Sequence, residues 1–310
     1  MGARAEHRND AVAGALLGTF VGDALGMPYE GLSSTAVPAR LEMVEARRGR
    51  GTYTDDTEMM IVLAESLLEH GSVNEEWLAQ ALLQRCDPSR GYGAGTLEVL
   101  ASWRRGVPVD AAAQRLFGGA GSLGNGAAMR IAPIAVFFAD SPDELRAQAE
   151  RSARLTHAHP LAVDAAVAQA AAVAAALRGE GILAAARGAA RRSVMRRQLD
   201  RAAALLGSDL GPAEVGELLG NSAIGHESVP TAIFAAASHR GFEQAVSFAV
   251  HCGGDTDTLG AMAGALAGAA YGATSIPARW LDALENGQRG RRYVERLGGA
   301  LAAATATTQR

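Results

Sequence analysis

The sequence predicts an all-α protein. Apolar residues recur at helical spacing along most of the chain, and the alternation expected of a half-buried strand hardly appears. Glycine supplies 37 of 310 residues and aromatic residues only 5%, so the core is expected to form from closely approaching helix backbones and not from large rings. The stretch "AVAGALLGTFVGDALG" makes the point locally, with glycines at 14, 18, 22 and 26. That four-residue spacing lines one helical face with positions lacking side chains, and a second helix can approach it closely.

The elements follow in order. After the first helix comes a less regular loop at 31–52, "GLSSTAVPARLEMVEARRGRG", rich in Ser, Gly and Arg. Residues 57–68 ("TEMMIVLAESLL"), 75–83 ("EEWLAQALL") and 94–103 ("AGTLEVLASW") are apolar at helical spacing and flanked by Gly, Pro or Asn. "SPDELRAQAERSARLTH" opens with Ser141 as an N-cap, Pro142 in the first turn and Glu144 three residues on, the pattern of a capping box. "LAVDAAVAQAAAVAAALRG" reads as an almost wholly buried helix ending at Gly179. "PTAIFAAASHRG" and "GFEQAVSFAVHCGG" complete a series of roughly ten or more helices with short connections. No composition shift or fixed-period repeat divides the chain, so residues 1–310 are read as one domain.

Composition bounds function loosely. With 48% hydrophobic and 20% charged residues the chain is globular and long enough to bury a large core. A net charge of −4 gives no general pull toward nucleic acid or an anionic membrane. Cys86 and Cys252 stand far apart without metal-type spacing, which indicates neither a disulfide framework nor a zinc site; a reducing cytoplasm is the expected compartment. The N-terminal "MGARAEHRND" has no apolar signal region, and Glu6 stands where a myristoylation signal wants Ser or Thr. "LGAMAGALAGAAYGATSI" at 259–276 has the length of a membrane span. Alanine and glycine contribute little transfer energy, so a buried core helix is expected there.

Chemistry concentrates in two acidic motifs. "YTDDTEMM" at 53–60 places Thr54, Asp55, Asp56 and Thr57 at a helix start directly after the Gly/Arg loop. Alone, this is satisfied by N-capping, because terminal N–H groups and the helix dipole favour Thr and Asp there. "CGGDTDT" at 252–258 repeats the context, a glycine turn and then Asp255, Thr256, Asp257 and Thr258 at a second helix start. Two such clusters point to a shared oxygen-rich site. Carboxylate and hydroxyl oxygens without His or Cys suit hard cations, Mg2+ first and Mn2+ or Ca2+ next, although the spacing fits no EF-hand loop. "GDALGMPYEG" adds Asp23 near the end of the first helix and Glu30 in the loop beyond; by itself Glu30 reads as a surface residue. "GAGSLGNGAAMR" at 119–130 can present backbone N–H groups to phosphate. It lacks the GK[ST] ending of a P-loop, and no strand clearly precedes it.

In order along the chain, "GDALGMPYEG", "YTDDTEMM", "RGYGAGTLEVL", "GSLGNGAAMRIAPI", "RLTHAHPLAVDAAV", "LLGNSAIGHESVPTAI" and "GGDTDTLGAMAGALAGAAYG" resemble the motifs of the ADP-ribosylglycohydrolases, over about residues 10–275. The resemblance implies that family's compact multi-helix orthogonal bundle and a hydrolase that cuts ADP-ribose from its acceptor in a cleft holding a pair of Mg2+ or Mn2+ ions. Carried over by motif, it implies Thr54, Asp55, Asp56, Asp255, Asp257 and Thr258 as metal ligands. It also implies Glu30, Asp56 and Asp257 as catalytic residues, with Glu30 acting in metal gating as well. "RGYGAG", "GSLGNGAAMR", "LTHA" and "ESVPTAI" look more like the branch acting on O-linked serine or poly(ADP-ribose) than the arginine-directed, dinitrogenase-reductase-activating type. In that branch Phe117, Ser122, Gly124, Asn125, His157 and Asn221 match residues that contact diphosphate, ribose and adenine. Leu123 departs from the tyrosine usual in animal members and Ala127 from a glycine, while residues 31–52 are shorter and less alike and leave the acceptor side open. The implied partner is an ADP-ribosylated protein or ADP-ribose polymer, with free ADP-ribose as product. A binding or structural protein, as the crystallin-like members of the family are, and a hydrolase of another ribosyl compound are the alternatives; the intact acidic motifs favour the enzyme.

Two further features have plain explanations. "ARGAARRSVMRRQLDR" at 186–201 carries arginines at 187, 191, 192, 196, 197 and 201, roughly along one helical face. A solvated face accounts for them, and contact with a polyanion such as poly(ADP-ribose) or nucleic acid is the alternative. "THAHP" offers His157 and His159, but two histidines without a third ligand make no zinc site.

Overall fold

In the computed structural model, which describes residues 2–46 and 48–308, seventeen α-helices are joined by short turns and 3-10 helices, and no β-strand occurs among the described residues. In chain order they are α1 (Gly2–Gly26), α2 (Asp55–His70), α3 (Glu75–Arg85), α4 (Ala94–Arg104), α5 (Val109–Ala112), α6 (Gly126–Met129), α7 (Ala132–Phe137), α8 (Pro142–Arg154) and α9 (Pro160–Arg178). There follow α10 (Ile182–Ala189), α11 (Ser193–Ala204), α12 (Pro212–Leu219), α13 (Gly225–Ser238), α14 (Phe242–His251), α15 (Thr256–Tyr271), α16 (Ala278–Leu281) and α17 (Arg291–Thr308). The all-α expectation holds, and the loop at 31–52 carries no α-helix among its described residues.

The centre is the antiparallel pair α1 and α15. A Cβ built on Gly14, Gly18 or Gly22 would stand 2.2, 2.1 or 1.9 Å from the carbonyl oxygen of Gly268, Gly264 or Gly260, and one on Gly26 would stand 2.1 Å from that of Thr256. The two backbones are in contact with no side chain between them. The glycine face predicted in α1 therefore finds a partner face of the same spacing. Thr256 Oγ1 donates to Gly26 O at 2.8 Å, which fixes the start of α15 at the end of α1. The alanine-rich α9 packs beside this pair and is almost wholly buried.

Residues 6–29 and 160–178 are long and apolar enough to cross a membrane, but other elements bury 89% and 78% of those windows. They are core helices. The segment at 259–276 is likewise buried, from Leu259 to Ala269.

Three local expectations are corrected. Ser141 precedes α8, but its side chain makes no cap, and Glu144 accepts from Gln148 Nε2 at 3.3 Å. Helix α13 begins five residues before Pro230 and runs through it. The missing proline N–H costs one bond near the helix start, where few are yet made. The arginine-rich run at 186–201 is not one helix; it is split between α10 and α11, where Asp164 accepts from Arg191 N at 2.8 Å and from Arg192 N at 2.8 Å.

Candidate active site

Two helix starts meet at the end of α1. Thr54 caps α2, its hydroxyl accepting from Asp56 N at 3.3 Å. Two further N–H groups at that start are served from another helix. Asp23 of α1 accepts from Thr54 N at 3.0 Å, Thr57 N at 3.1 Å and Thr57 Oγ1 at 2.6 Å. With Asp23 and Thr54 satisfying the backbone, Asp55 and Asp56 are released from capping and lie along the cleft.

The second helix start is set by a glycine turn. Gly253 and Gly254 both have φ of +73°, and a Cβ on them would meet Ser34 N at 2.6 Å and Asn221 O at 2.3 Å. Only glycine fits both the backbone conformation and the contact. Gly254 N donates to Leu32 O at 2.9 Å and Gly31 N to Gly254 O at 2.8 Å, so the loop bearing Glu30 is tied to the turn bearing Asp255. Asp255 N donates to Asn221 O at 2.8 Å, and Asn221 Nδ2 to Cys252 O at 2.8 Å.

Between these starts lies a cleft of about 180 Å3, lined by Glu30, Asp55, Asp56, Asp255, Asp257, Thr258, Ser122, Gly124, Asn125 and His157, together with Gly91, Gly93, Gly95, Thr96, Gly126, Met129 and Ala223. Ten of the residues singled out in the sequence are thus brought together. Three are not on the wall. Thr54 stands behind Asp56, Asn221 behind the glycine turn, and Phe117 is 68% exposed with its ring edge near Gly95 at the rim. Phe117 also holds a left-handed backbone (φ +52°), a conformation rare for a bulky residue.

The wall opposite α2 is positioned by polar bonds. Asn125 Nδ2 donates to Asp255 Oδ2 at 2.6 Å and Ser228 Oγ at 3.0 Å, and Gly124 N donates to Ser122 Oγ at 3.2 Å. The "RGYGAG" loop hangs from two anchors. Arg90 donates to Tyr53 O at 2.6 Å and pairs with Glu285 at 2.8 Å, and Tyr92 Oη donates to Glu58 Oε2 at 2.7 Å. These supporting residues carried no sequence signal beyond the glycines around them. Asp23 was visible as an acidic residue, but its role depends on where α1 ends against α2.

The electrostatics of the cleft are those of uncompensated acids. Burial pushes Asp23 up to about 6, and Asp55, Asp56 and Asp257 well above the ordinary carboxylate range. Asp255 is also raised by burial. After burial, the charges acting most strongly on Asp55, Asp56 and Asp257 are other carboxylates. Glu30, Asp255 and Asp257 each offer an oxygen within 4.8 Å of the others, and Asp56 Oδ1 is buried with no hydrogen-bond partner. An acceptor that finds no proton donor, among acids that repel one another, fits a cation. The donor set is all oxygen, as hard divalent ions prefer. His157, buried against Thr156 Oγ1 at 2.8 Å, is pushed down to about 3 by burial and by Arg130, so it meets a ligand as a neutral ring.

Two predictions arise here. Because these aspartates keep protons to higher pH when folded than when unfolded, the stability they contribute is full below the ordinary carboxylate range and is lost as pH rises through the raised values. Metal-free protein should therefore melt higher near about pH 5 than near about pH 7.5, with Mg2+ raising the midpoint more at the higher pH. A chelated protein most stable at the higher pH contradicts this. Second, Asp23→Asn sets an amide N–H against the N–H groups of α2. Its Mg2+ affinity, read by calorimetric titration, should weaken by roughly 10- to 100-fold; unchanged affinity would show that Asp23 does not position the acids.

Comparison with known proteins agrees with the geometry. A family model described as ADP-ribosylglycohydrolase matches residues 4–310. The chain is 33% identical to ADP-ribosylhydrolase ARH3 of Homo sapiens, covering 88% of each chain, and 32% identical to that of Bos taurus, covering 92% of this chain and 91% of the relative. It is 29% identical to the ADP-ribosyl-[dinitrogen reductase] glycohydrolase of Rhodospirillum rubrum, covering 89% of this chain and 91% of the other. A solved structure described as an ADP-ribosylglycohydrolase-related protein complex superposes with a TM-score of 0.79 at 34% identity, over 97% of this chain and 99% of that one. A family match along nearly the whole chain, relatives above 30% identity over most of both sequences, and a shared fold together establish that the chain belongs to the ADP-ribosylglycohydrolase family and is a hydrolase.

Proposed function

We propose that the protein is a binuclear Mg2+-dependent hydrolase, Mn2+ being able to replace Mg2+, that releases ADP-ribose from O-linked serine or from poly(ADP-ribose) in preference to N-linked arginine. Its partner is then an ADP-ribosylated protein or polymer, met in the cytoplasm. The observation that carries this reading is the orphaned Asp56 Oδ1 among buried acids at two adjoining helix starts. The likeness of "RGYGAG", "GSLGNGAAMR", "LTHA" and "ESVPTAI" to the serine and polymer branch supports the linkage.

Two divalent ions held by Asp55 and Asp56 from α2 and by Asp255, Asp257 and Thr258 from α15, with the Thr54 hydroxyl as a further ligand once it is released from Asp56 Oδ2, would supply positive charge beside the ribose hydroxyls and acidify a water. The chain's own residues do the rest. Ser122, Gly124 and Asn125 form the wall that meets the diphosphate, where the Ser122 hydroxyl accepts from Gly124 N and keeps its own proton to donate, while Asn125 holds Asp255 in place. Neutral His157 adds a hydrogen bond without charge, and the exposed ring of Phe117 offers a face to adenine at the rim. Asn221 keeps the glycine turn in place behind Asp255. Cleavage at the anomeric carbon passes through an oxocarbenium-like state, so positioning matters more than a strong nucleophile. Glu30, exposed on a loop tied to that turn, either takes the proton of the attacking water or gives one to the leaving oxygen.

The test is release of ADP-ribose, with Mg2+, from serine-linked, arginine-linked and polymeric substrates. Release from the first and third is expected. Release from the arginine linkage alone overturns the assignment of linkage, and release from none overturns the assignment as an ADP-ribosyl hydrolase.

A further inference from the structure

His157 lines the cleft, and the next residues, Ala158 and Pro160, line a second cavity of about 140 Å3 bounded by Arg154, Arg191 and Arg192. One turn of chain separates the two spaces. The second is built around an imbalance of charge. Glu150 is shared by Arg154 at 2.9 Å, Arg146 at 3.5 Å and Arg191 at 3.6 Å, and one carboxylate cannot neutralise three guanidinium groups. The other acid, Asp164, is held by the backbone N–H groups of Arg191 and Arg192. Those bonds brace the connection between α10 and α11 so that both arginines border the same opening. Three arginines and two carboxylates line the cavity, and Arg146 draws on Glu150 from outside it, which leaves an excess of positive charge in a protein whose net charge is −4.

Guanidinium groups recognise phosphate oxygens in pairs, by charge and by fork geometry. Resting on the function proposed above, we propose that this basic cavity binds a diphosphate of an ADP-ribose polymer whose terminal unit occupies the cleft. A serine-linked single unit is accommodated by the cleft and has no second diphosphate to offer. Nucleic acid is also polyanionic, but sharing the turn at 157–160 with the cleft favours the polymer that the cleft would process.

The test compares wild type with the double variant Arg191→Gln, Arg192→Gln, in which the backbone bonds to Asp164 are kept. In Mg2+, KM for polymer should rise several-fold and the slope of log affinity against log salt should flatten by about 1 to 2, while the rate on a serine-linked peptide stays at the wild-type value. In chelator, where turnover is excluded, labelled polymer should bind the variant more weakly than wild type by fluorescence anisotropy, and single-stranded DNA of equal charge should compete poorly. Unchanged polymer affinity and salt slope, equal losses on both substrates, or DNA competing as well as polymer would each overturn the proposal. If wild type binds polymer in chelator in this arginine-dependent way but cleaves nothing in Mg2+, the proposed activity fails and the binding site stands.

Discussion

Asp257→Ala is expected to abolish hydrolysis and, in the absence of metal, to make the protein more stable. The two effects share one cause. Asp257 is buried, raised well above an ordinary carboxylate by desolvation and then by Asp255, Asp56, Glu30 and Asp23. Its ionised form is therefore costly until a cation lies among these oxygens. Removing it would relieve the repulsion in the metal-free site and would take away a proposed ligand from the loaded one. Activity should fall on the order of 10³-fold or more, about 4 kcal/mol of transition-state stabilisation. In chelator at neutral pH the melting midpoint should exceed that of wild type, and the rise on adding Mg2+ should be largely lost. Asp55→Ala should lose activity in the same way. Wild-type turnover by either variant, or a chelated Asp257→Ala that melts well below wild type, would contradict the cation account of the cluster.

Gly22→Val has the largest expected effect on folding. A Cβ at Gly22 would lie 1.9 Å from Gly260 O, with Gly260 C at 2.2 Å and Ala261 N at 2.8 Å. Backbone, not a flexible side chain, stands in the way. The helices must separate, and the packing of Gly18 on Gly264 and of Gly14 on Gly268 loosens with them. Overpacking of this kind costs about 3 kcal/mol or more, and urea denaturation should show it, or the protein should fail to accumulate in soluble form. Gly22→Ala keeps the test readable if valine prevents folding. It too should lower the midpoint, and it should weaken Mg2+ binding because α15 carries Asp257. A wild-type midpoint for both variants would remove the close approach of α1 and α15 from the account.

The glycine face of α1 shows how much of this was legible. Residues 14, 18, 22 and 26 declared that some helix must approach, and "LGAMAGALAGAAYG" carried the same spacing at 260, 264 and 268. The antiparallel register joining them is a tertiary fact that neither stretch contains. The acidic motifs were legible as helix starts and, through their similarity to each other, as a shared site. What stayed hidden was how the backbone is served when the aspartates are turned to the cleft. Asp23 does that for α2 from another helix, and Asn221 does it for the turn before α15. The capping box expected at Ser141 is not formed, and Glu144 accepts from Gln148 instead. The arginine run at 186–201 misled as a face, because Asp164, distant in sequence, breaks it into two helices around a cavity.

The proposed role of the acids at the starts of α2 and α15 is to hold divalent cations. It is tested most directly by the rate of ADP-ribose release from a serine-linked peptide by wild-type protein, first stripped with chelator and then reloaded with Mg2+. No release above background is expected from the stripped protein, and full recovery on reloading. Equal rates before and after reloading would contradict it.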